Sequence, residues 1–233
     1  GIGFMSALSG DDGSSGAAEA PGFGVYAFFL LTAYVSAATT EELAKAMVLR
    51  FAVCPSKPCC VQGHEERVNP RTTLLYLVAG AVGFSTVENI MYTWSSSVMV
   101  PTGQVAPGFG MVLVQGIIRA LVALPTHTLC AGITAARLVH RDRQQRTLTN
   151  PREAPGWAWV LFPAIFVHGT YDAQAMVLSI ALAGAVGEVA GTVLIMGTSL
   201  LVLALGGWTF WHQWNRYAER SGPAAAGGYE SQV

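Results

Sequence analysis

The chain has 233 residues, of which 12% are charged, where an average soluble domain carries about 25%. Its 13 Lys and Arg against 14 Asp and Glu leave a formal charge of -1, which offers no electrostatic footprint for nucleic acid. A hydrophobic fraction of 52%, a mean hydropathy of +0.43, 26 Gly and 6 Trp argue against an ordinary soluble domain; they fit a polytopic helical membrane protein, because apolar helices in lipid tolerate Gly and gather Trp at the interfaces.

Residues 1–21 read as a polar Gly/Ser leader, and Gly rather than Met at position 1 fits a processed or truncated product. A bilayer core of about 30 Å needs roughly 20 apolar residues per helix. Five stretches of that kind are predicted, at 22–51, 73–99, 109–138, 157–183 and 186–214, so the expected fold is an all-α transmembrane bundle over residues 22–215. The first ends at Cys54-Pro55-Ser56-Lys57-Pro58 and carries Glu41, Glu42, Lys45 and Arg50 in its last third. The second follows Asn69-Pro70-Arg71 and stops at a loop over 100–108; the third contains Pro125, which should kink it. The fourth and fifth are separated only by Gly184 and its neighbours, as in a tight hairpin, and Trp208, Trp211 and Trp214 close the fifth as an aromatic belt. Gly187 and Gly191 form a Gly-x-x-x-Gly element suited to helix packing. Residues 216–233 are expected to be a disordered cytosolic tail.

Lys57, Arg67 and Arg71 follow the first span, Arg137, Arg141, Arg143, Arg146 and Arg152 the third, and Arg216 and Arg220 the fifth, whereas the alternate loops hold no Lys or Arg. Because basic segments stay in the cytosol, the N-terminus is expected outside or in a lumen and the C-terminus inside. Cys54, Cys59, Cys60 and His64 match no standard zinc spacing and read as a solvated loop, with S-palmitoylation as the alternative.

Ionisable groups inside a span cost at least about 2.5 kcal/mol for a central carboxylate, so each is a functional candidate. They are Glu41 and Glu42 on the first helix, Glu88 with Asn89 on the second, His127 on the third, and His168 with Asp172 on the fourth. Counted from the cytosolic ends at about 1.5 Å per residue, they lie roughly 15 to 22 Å deep, in a layer about one helical turn thick. Glu41 and Lys45 are four apart on one face, which predicts an ion pair, with Glu42 projecting about 100° away to hold a neighbouring helix. His168 and Asp172 share the same spacing, so Asp172 can orient the imidazole or join His127 and His168 as a metal ligand. Asn89 is a candidate oxyanion donor, while Arg119 is expected to snorkel outward, with pairing to Glu88 or Asp172 as the alternative. Tyr92 and Tyr171 read as packing residues, and Cys130 as a small core residue rather than a nucleophile.

Glu41-Glu42-Leu43-Ala44-Lys45, then Gly83-Phe84-Ser85-Thr86-Val87-Glu88-Asn89-Ile90-Met91-Tyr92, then His127 with Gly132 after it, then His168-Gly169-Thr170-Tyr171-Asp172, resemble the four ordered motifs of the PrsW family of intramembrane proteases. The resemblance covers about residues 25–180, one motif per span. It is more distant to the CAAX prenyl endopeptidases, whose second motif carries a His where this chain has Glu88. It implies cleavage of a membrane-embedded protein substrate within or near the lipid bilayer, with Glu41, Glu42 and His127 or His168 essential, and with a mechanism resting either on a divalent, zinc-like metal or on glutamate-activated water. Family members commonly carry further spans before the first motif, where this chain has a short leader.

The residues themselves are compatible with that chemistry. Hydrolysis needs a water, a base for its proton, and a cation or donors for the oxyanion. Glu41 or Glu42 suits the base, and His127 and His168 suit a metal or a donor, since an ionised carboxylate only accepts while a neutral imidazole can do either. Glu88 completes the catalytic set, with Lys45, Asn89 and Asp172 supporting it. The same residues also allow a proton-coupled carrier or a catalytically inactive membrane scaffold, although the interrupted, repeated halves of a carrier are not seen.

Overall fold

The computed structural model describes residues 22–49, 69–98, 105–182 and 188–219. Five long helices make up this part of the chain, and no strand occurs among the described residues. Helix α1 spans Phe23–Met47 and includes a π-helical stretch at Thr32–Ala38; α2 is Pro70–Val98, α3 Val105–Thr147, α4 Trp157–Ala181, and α5 Glu188–Gln213, continuing in π geometry over Trp214–Glu219. Four of these, at Phe23–Met47, Pro70–Ser95, Gly116–Thr147 and Ala190–Ala218, are long and apolar enough to cross a membrane by themselves. The remaining helix, α4, has 25 residues, and its apolar run is interrupted by His168, Thr170, Asp172 and Gln174.

Local signals set several of the ends. At the start of α2 the Asn69 Oδ1 accepts hydrogen bonds from the backbone N–H of Arg71 at 3.0 Å and of Thr72 at 3.4 Å, and Pro70 fills the first helical position, whose N–H needs no partner. Helix α3 differs most from expectation: it begins at Val105, within the predicted loop, and runs nine residues past Leu138. Arg143, Gln144, Gln145 and Arg146 are good helix formers, so the basic segment extends the helix rather than ending it. The helix is also unbroken at Pro125, where the hydroxyls of Thr126 and Thr128 bond to the carbonyls of Val122 and Pro125, each at 2.9 Å. Helix α5 likewise continues through Glu219, beyond the predicted end at Trp214. The leader, the Cys54 to His64 cluster, Gly187 and the tail from 220 onward lie outside the described residues.

The surface is apolar. Phe28, Leu31, Val35, Ile90, Met91, Leu121, Phe162, Leu201, Trp208 and Trp211 are all exposed, an arrangement suited to lipid rather than water. Hydroxyls on these helices bond to their own backbone one turn back, as Thr86 does to Val82, Thr170 to Phe166 and Thr209 to Leu205, each at 2.7 Å, so that no hydroxyl hydrogen is left facing hydrocarbon there.

Helix α3 is the hub: 44% of its apolar window is buried, against 11% for α1 and for α5. It packs against α2, α4 and α5. Gly132 lets it approach α5 closely, since a Cβ there would stand 2.7 Å from the Phe210 ring. At the arginine-rich end Arg137 donates to Gln213 Oε1 at 2.9 Å and to the Trp159 carbonyl at 2.5 Å, while its guanidinium stacks over the Trp159 ring at 4.3 Å. Helices α4 and α5 run antiparallel, with Gln174 beside Ser199 at 2.7 Å and Val167 beside Gly206. Helix α1 packs mainly along α4 through the small buried residues Ala33 and Ala38. There the Tyr34 hydroxyl pairs with Thr170 Oγ1 at 2.8 Å, and its ring lies so close to Gly169 that a Cβ would fall 2.3 Å away.

Candidate active site and metal centre

Four helices deliver polar side chains to one place at the heart of this bundle. Glu41, Glu42 and Lys45 come from the last turns of α1, Glu88 and Asn89 from the middle of α2, Arg119 and His127 from α3, and His168 and Asp172 from α4. Glu42, Lys45, His127 and His168 are buried, and Glu41, Glu88, Arg119 and Asp172 keep about a fifth of their side chains exposed. The sequence-predicted set is thus brought together in full, and no member is stranded on another face.

Each imidazole is held by a carboxylate on one side. His127 Nε2 lies 2.9 Å from Glu88 Oε2, and His168 Nδ1 lies 2.8 Å from Glu42 Oε1. A carboxylate only accepts, so these two nitrogens donate and the opposite nitrogens carry the lone pairs of a neutral ring. Those opposite nitrogens converge on Glu41: its Oε2 stands 3.8 Å from His127 Nδ1 and 3.5 Å from His168 Nε2. The rings meet edge to face with centroids 4.8 Å apart.

Two sequence-based expectations are corrected here. Lys45 takes Glu42, not Glu41, as its close partner: Nζ is 2.7 Å from Glu42 Oε1 and 4.0 Å from Glu41 Oε2. Residues three and four apart share a helix face, and the choice falls to Glu42 because His168 already fixes that carboxylate inside the bundle. Arg119 does not snorkel. Its Nη2 donates to Glu88 Oε1 at 2.8 Å and its Nε to Asn89 Oδ1 at 3.0 Å, with the guanidinium 3.8 Å above the Tyr92 ring. Phe84 packs against His127 at a centroid distance of 5.8 Å, so Phe84, Glu88 and Tyr92, spaced by four, form one site-facing stripe on α2. That spacing was the signal available for the two aromatic residues. Cys130 is buried with its thiol 3.5 Å from the Ala164 carbonyl, as befits a core residue.

The donor set suits a metal ion. Glu41, His127 and His168 each offer one ligand atom, all within 4.8 Å of one another. Ligands about 2.1 Å from a tetrahedral ion stand about 3.4 Å apart, close to the separations from Glu41 Oε2. That oxygen is buried and has no hydrogen-bond partner, an expensive arrangement unless something cationic or protic engages it. The outer nitrogen of each His is already bound to a carboxylate, as histidine ligands require to fix tautomer and orientation. Four carboxylates here face the side chains of Lys45 and Arg119, so acidic groups outnumber basic ones around the three ligand atoms. Asp172, a predicted ligand, lies beside this group, its Oδ2 3.5 Å from His168 Nε2.

Long apolar helices that enclose carboxylates, imidazoles and paired cations define a multi-pass membrane protein with an acid–base centre inside the bundle. The chain belongs to the PrsW family: the family model described as PrsW family intramembrane metalloprotease matches residues 18–205. It is 29% identical over 147 residues to Protease PrsW of Clostridioides difficile (strain 630), a match covering 63% of this chain and 52% of that protein. It is 28% identical over 149 residues to Protease PrsW of Geobacillus kaustophilus (strain HTA426), covering 64% and 54% respectively. The chain therefore spans about half the length of these curated relatives. No solved structure matches it significantly.

Proposed function

We propose that the chain is an intramembrane endopeptidase that hydrolyses a membrane-anchored protein substrate at the Glu41, His127, His168 centre. The observation that carries this reading is the convergence of one unpartnered carboxylate oxygen and two carboxylate-oriented imidazoles inside a lipid-facing bundle. Glu41, His127 and His168 are the residues that would hold a divalent ion. When bound, such an ion supplies Lewis acidity toward a carbonyl or a water.

The protein groups divide the remaining work. Glu88 and Glu42 hold the two imidazoles in one tautomer each, and Arg119, bound to Glu88 Oε1 and Asn89 Oδ1, fixes that side of the site against α2. Glu41 has two oxygens, so it can engage a cation through one and accept the proton of the attacking water through the other. The water's O–H bond breaks toward Glu41 as its oxygen adds to the scissile carbonyl, and the same proton then serves the departing amine. Tyr34 against Gly169 keeps α1 and α4 in contact beside His168, which maintains the separation between Glu41 and the imidazoles.

The full chain reconstituted in lipid vesicles should cleave members of a transmembrane peptide library within or near the bilayer. Cleavage should stop with 1,10-phenanthroline and return with added Zn2+. Failure to cleave any member would return the chain to the carrier or scaffold reading.

The proposed orientation places the N-terminus outside and the arginine-rich end of α3 in the cytosol. The alternation of Lys and Arg between loops supports it. Single cysteines introduced as Gly103→Cys and Gln144→Cys, in a background lacking the native thiols, should be labelled by an impermeant maleimide from outside and from the cytosol respectively. The opposite labelling would reverse the topology.

A further inference from the structure

One ammonium group stands among the acceptors of the site. Lys45 has a side chain only 3% exposed, and its Nζ lies 2.7 Å from Glu42 Oε1, 2.9 Å from His127 Nδ1 and 5.1 Å from the centre of the Phe84 ring. Because His127 Nε2 donates to Glu88, Nδ1 holds the ring's lone pair, and Lys45 donates into it. The same nitrogen is the one that faces Glu41 Oε2. A single lone pair cannot bind an ammonium proton and coordinate an ion at once.

We propose that the Lys45 ammonium is the resident cation of this centre and competes with a divalent metal ion for His127 Nδ1, so that loading the site requires Lys45 to withdraw onto Glu42. The inference rests on the reading of Glu41, His127 and His168 as the ion-holding group. Two independent effects point the same way. Lys45 masks one of the three ligand atoms, and its positive charge lies 4.0 Å from another, Glu41 Oε2, where it repels an incoming cation. Withdrawal is open to it: the lysine stem is flexible, its bond to Glu42 is already made, and an ammonium offers three donors of which His127 uses one. Without a metal, the lysine offsets the charge of Glu42 and Glu41, and the site stays assembled.

The test is Zn2+ binding to the detergent-purified full chain, followed by competition with a chromogenic chelator. Wild type, Lys45→Gln, Lys45→Met, Lys45→Arg and His168→Gln are compared, with circular dichroism melting as the check on folding. Lys45→Gln keeps a donor for Glu42 while removing the charge, so it and Lys45→Met should bind Zn2+ at least tenfold more tightly than wild type. Lys45→Arg, permanently charged, should bind no more tightly than wild type, and His168→Gln should bind none. A second measurement needs no change at position 45. The chain has two lysines, Lys45 and Lys57, so selective 13Cε labelling gives two resonances, assigned through Lys57→Arg. Zn2+ should move the Lys45 resonance and leave that of Lys57 in place. Equal or weaker Zn2+ binding by Lys45→Gln, or a Lys45 resonance that stays fixed while one Zn2+ binds, would overturn the competition and leave the ion-holding group standing. No Zn2+ binding by any of these proteins would overturn both.

Discussion

Glu41→Gln is expected to abolish cleavage while leaving the bundle folded, and Glu42→Gln to cost both activity and stability. The two neighbours differ in what they touch. Glu41 Oε2 makes no hydrogen bond and faces both imidazoles, so converting it to an amide removes a base and a ligand without breaking a contact that holds helices together. Loss of a general base alone costs about 10²–10⁴-fold in rate. Glu42 is 1% exposed and joins Lys45 of its own helix to His168 of α4. Replacing one member of a buried ion pair costs about 3–5 kcal/mol, because the partner's charge stays behind uncompensated. Peptide cleavage in vesicles and thermal melts in micelles, run on the same preparations, separate the two outcomes. Equal melting temperatures for both variants, or residual cleavage by Glu41→Gln within tenfold of wild type, would contradict this division of roles.

His127→Gln and His168→Gln should each reduce cleavage below the detection limit and remove Zn2+ binding, whereas Glu88→Gln should do less. The imidazoles contribute two of the three nearby ligand atoms, and with either one gone too few ligands remain to retain an ion. Glu88 touches the ion-holding group only through His127 Nε2, and a glutamine carbonyl can still accept that proton. Changing such an outer partner of a ligand costs about 10–100-fold in affinity. Zn2+ affinity in the order wild type, Glu88→Gln, then the two His variants is the expected result. A Glu88→Gln variant as inert as His127→Gln, with its fold intact, would place Glu88 inside the ion-holding group.

Much of this architecture was legible in the residues because lipid imposes a simple rule on both length and polarity. The five helices follow from apolar runs bounded by Pro, Gly and charge, and the polar centre follows from ionisable groups that no single-span helix would retain by chance. The ends were harder to read. A run such as Arg141 to Arg146 looks like loop by charge but is helical by propensity, and its side chains find carbonyl and aromatic partners, as Arg143 does at Ala218 and Arg141 at Pro155 and Trp157. Partner choice was hidden for another reason. Helical spacing puts both Glu41 and Glu42 within reach of Lys45, and only His168, contributed by a helix more than a hundred residues further along, decides between them. Pairing with Glu88 was an alternative open to Arg119 from the sequence, but its depth gave no hint that Asn89 and Tyr92 would join that carboxylate around it. Which nitrogen of each imidazole faces inward is a property of the assembled bundle alone.

The wide turn at Thr32–Ala38 has a consequence for which changes in chain length α1 can absorb. A π turn uses about one residue more than an α turn, so it takes up one residue that an uninterrupted α-helix would have turned through about 100° more. The helix is tied to α4 inside the stretch at Tyr34, through Thr170 and Gly169, and beyond it at Glu42, through His168. Losing one residue from this stretch after Tyr34 would let it relax to α geometry while the turns on either side keep nearly their present phase, so both contacts with α4 would survive. Gaining one would turn them out of phase by about 100°. A one-residue deletion there is the change of length α1 can absorb, while a one-residue insertion forces a choice between the tyrosine contact and the carboxylates. A single-residue gap between Tyr34 and Glu41, when sequences of this kind are aligned, would therefore mark a chain whose first helix lacks the wide turn and keeps the same packing against α4.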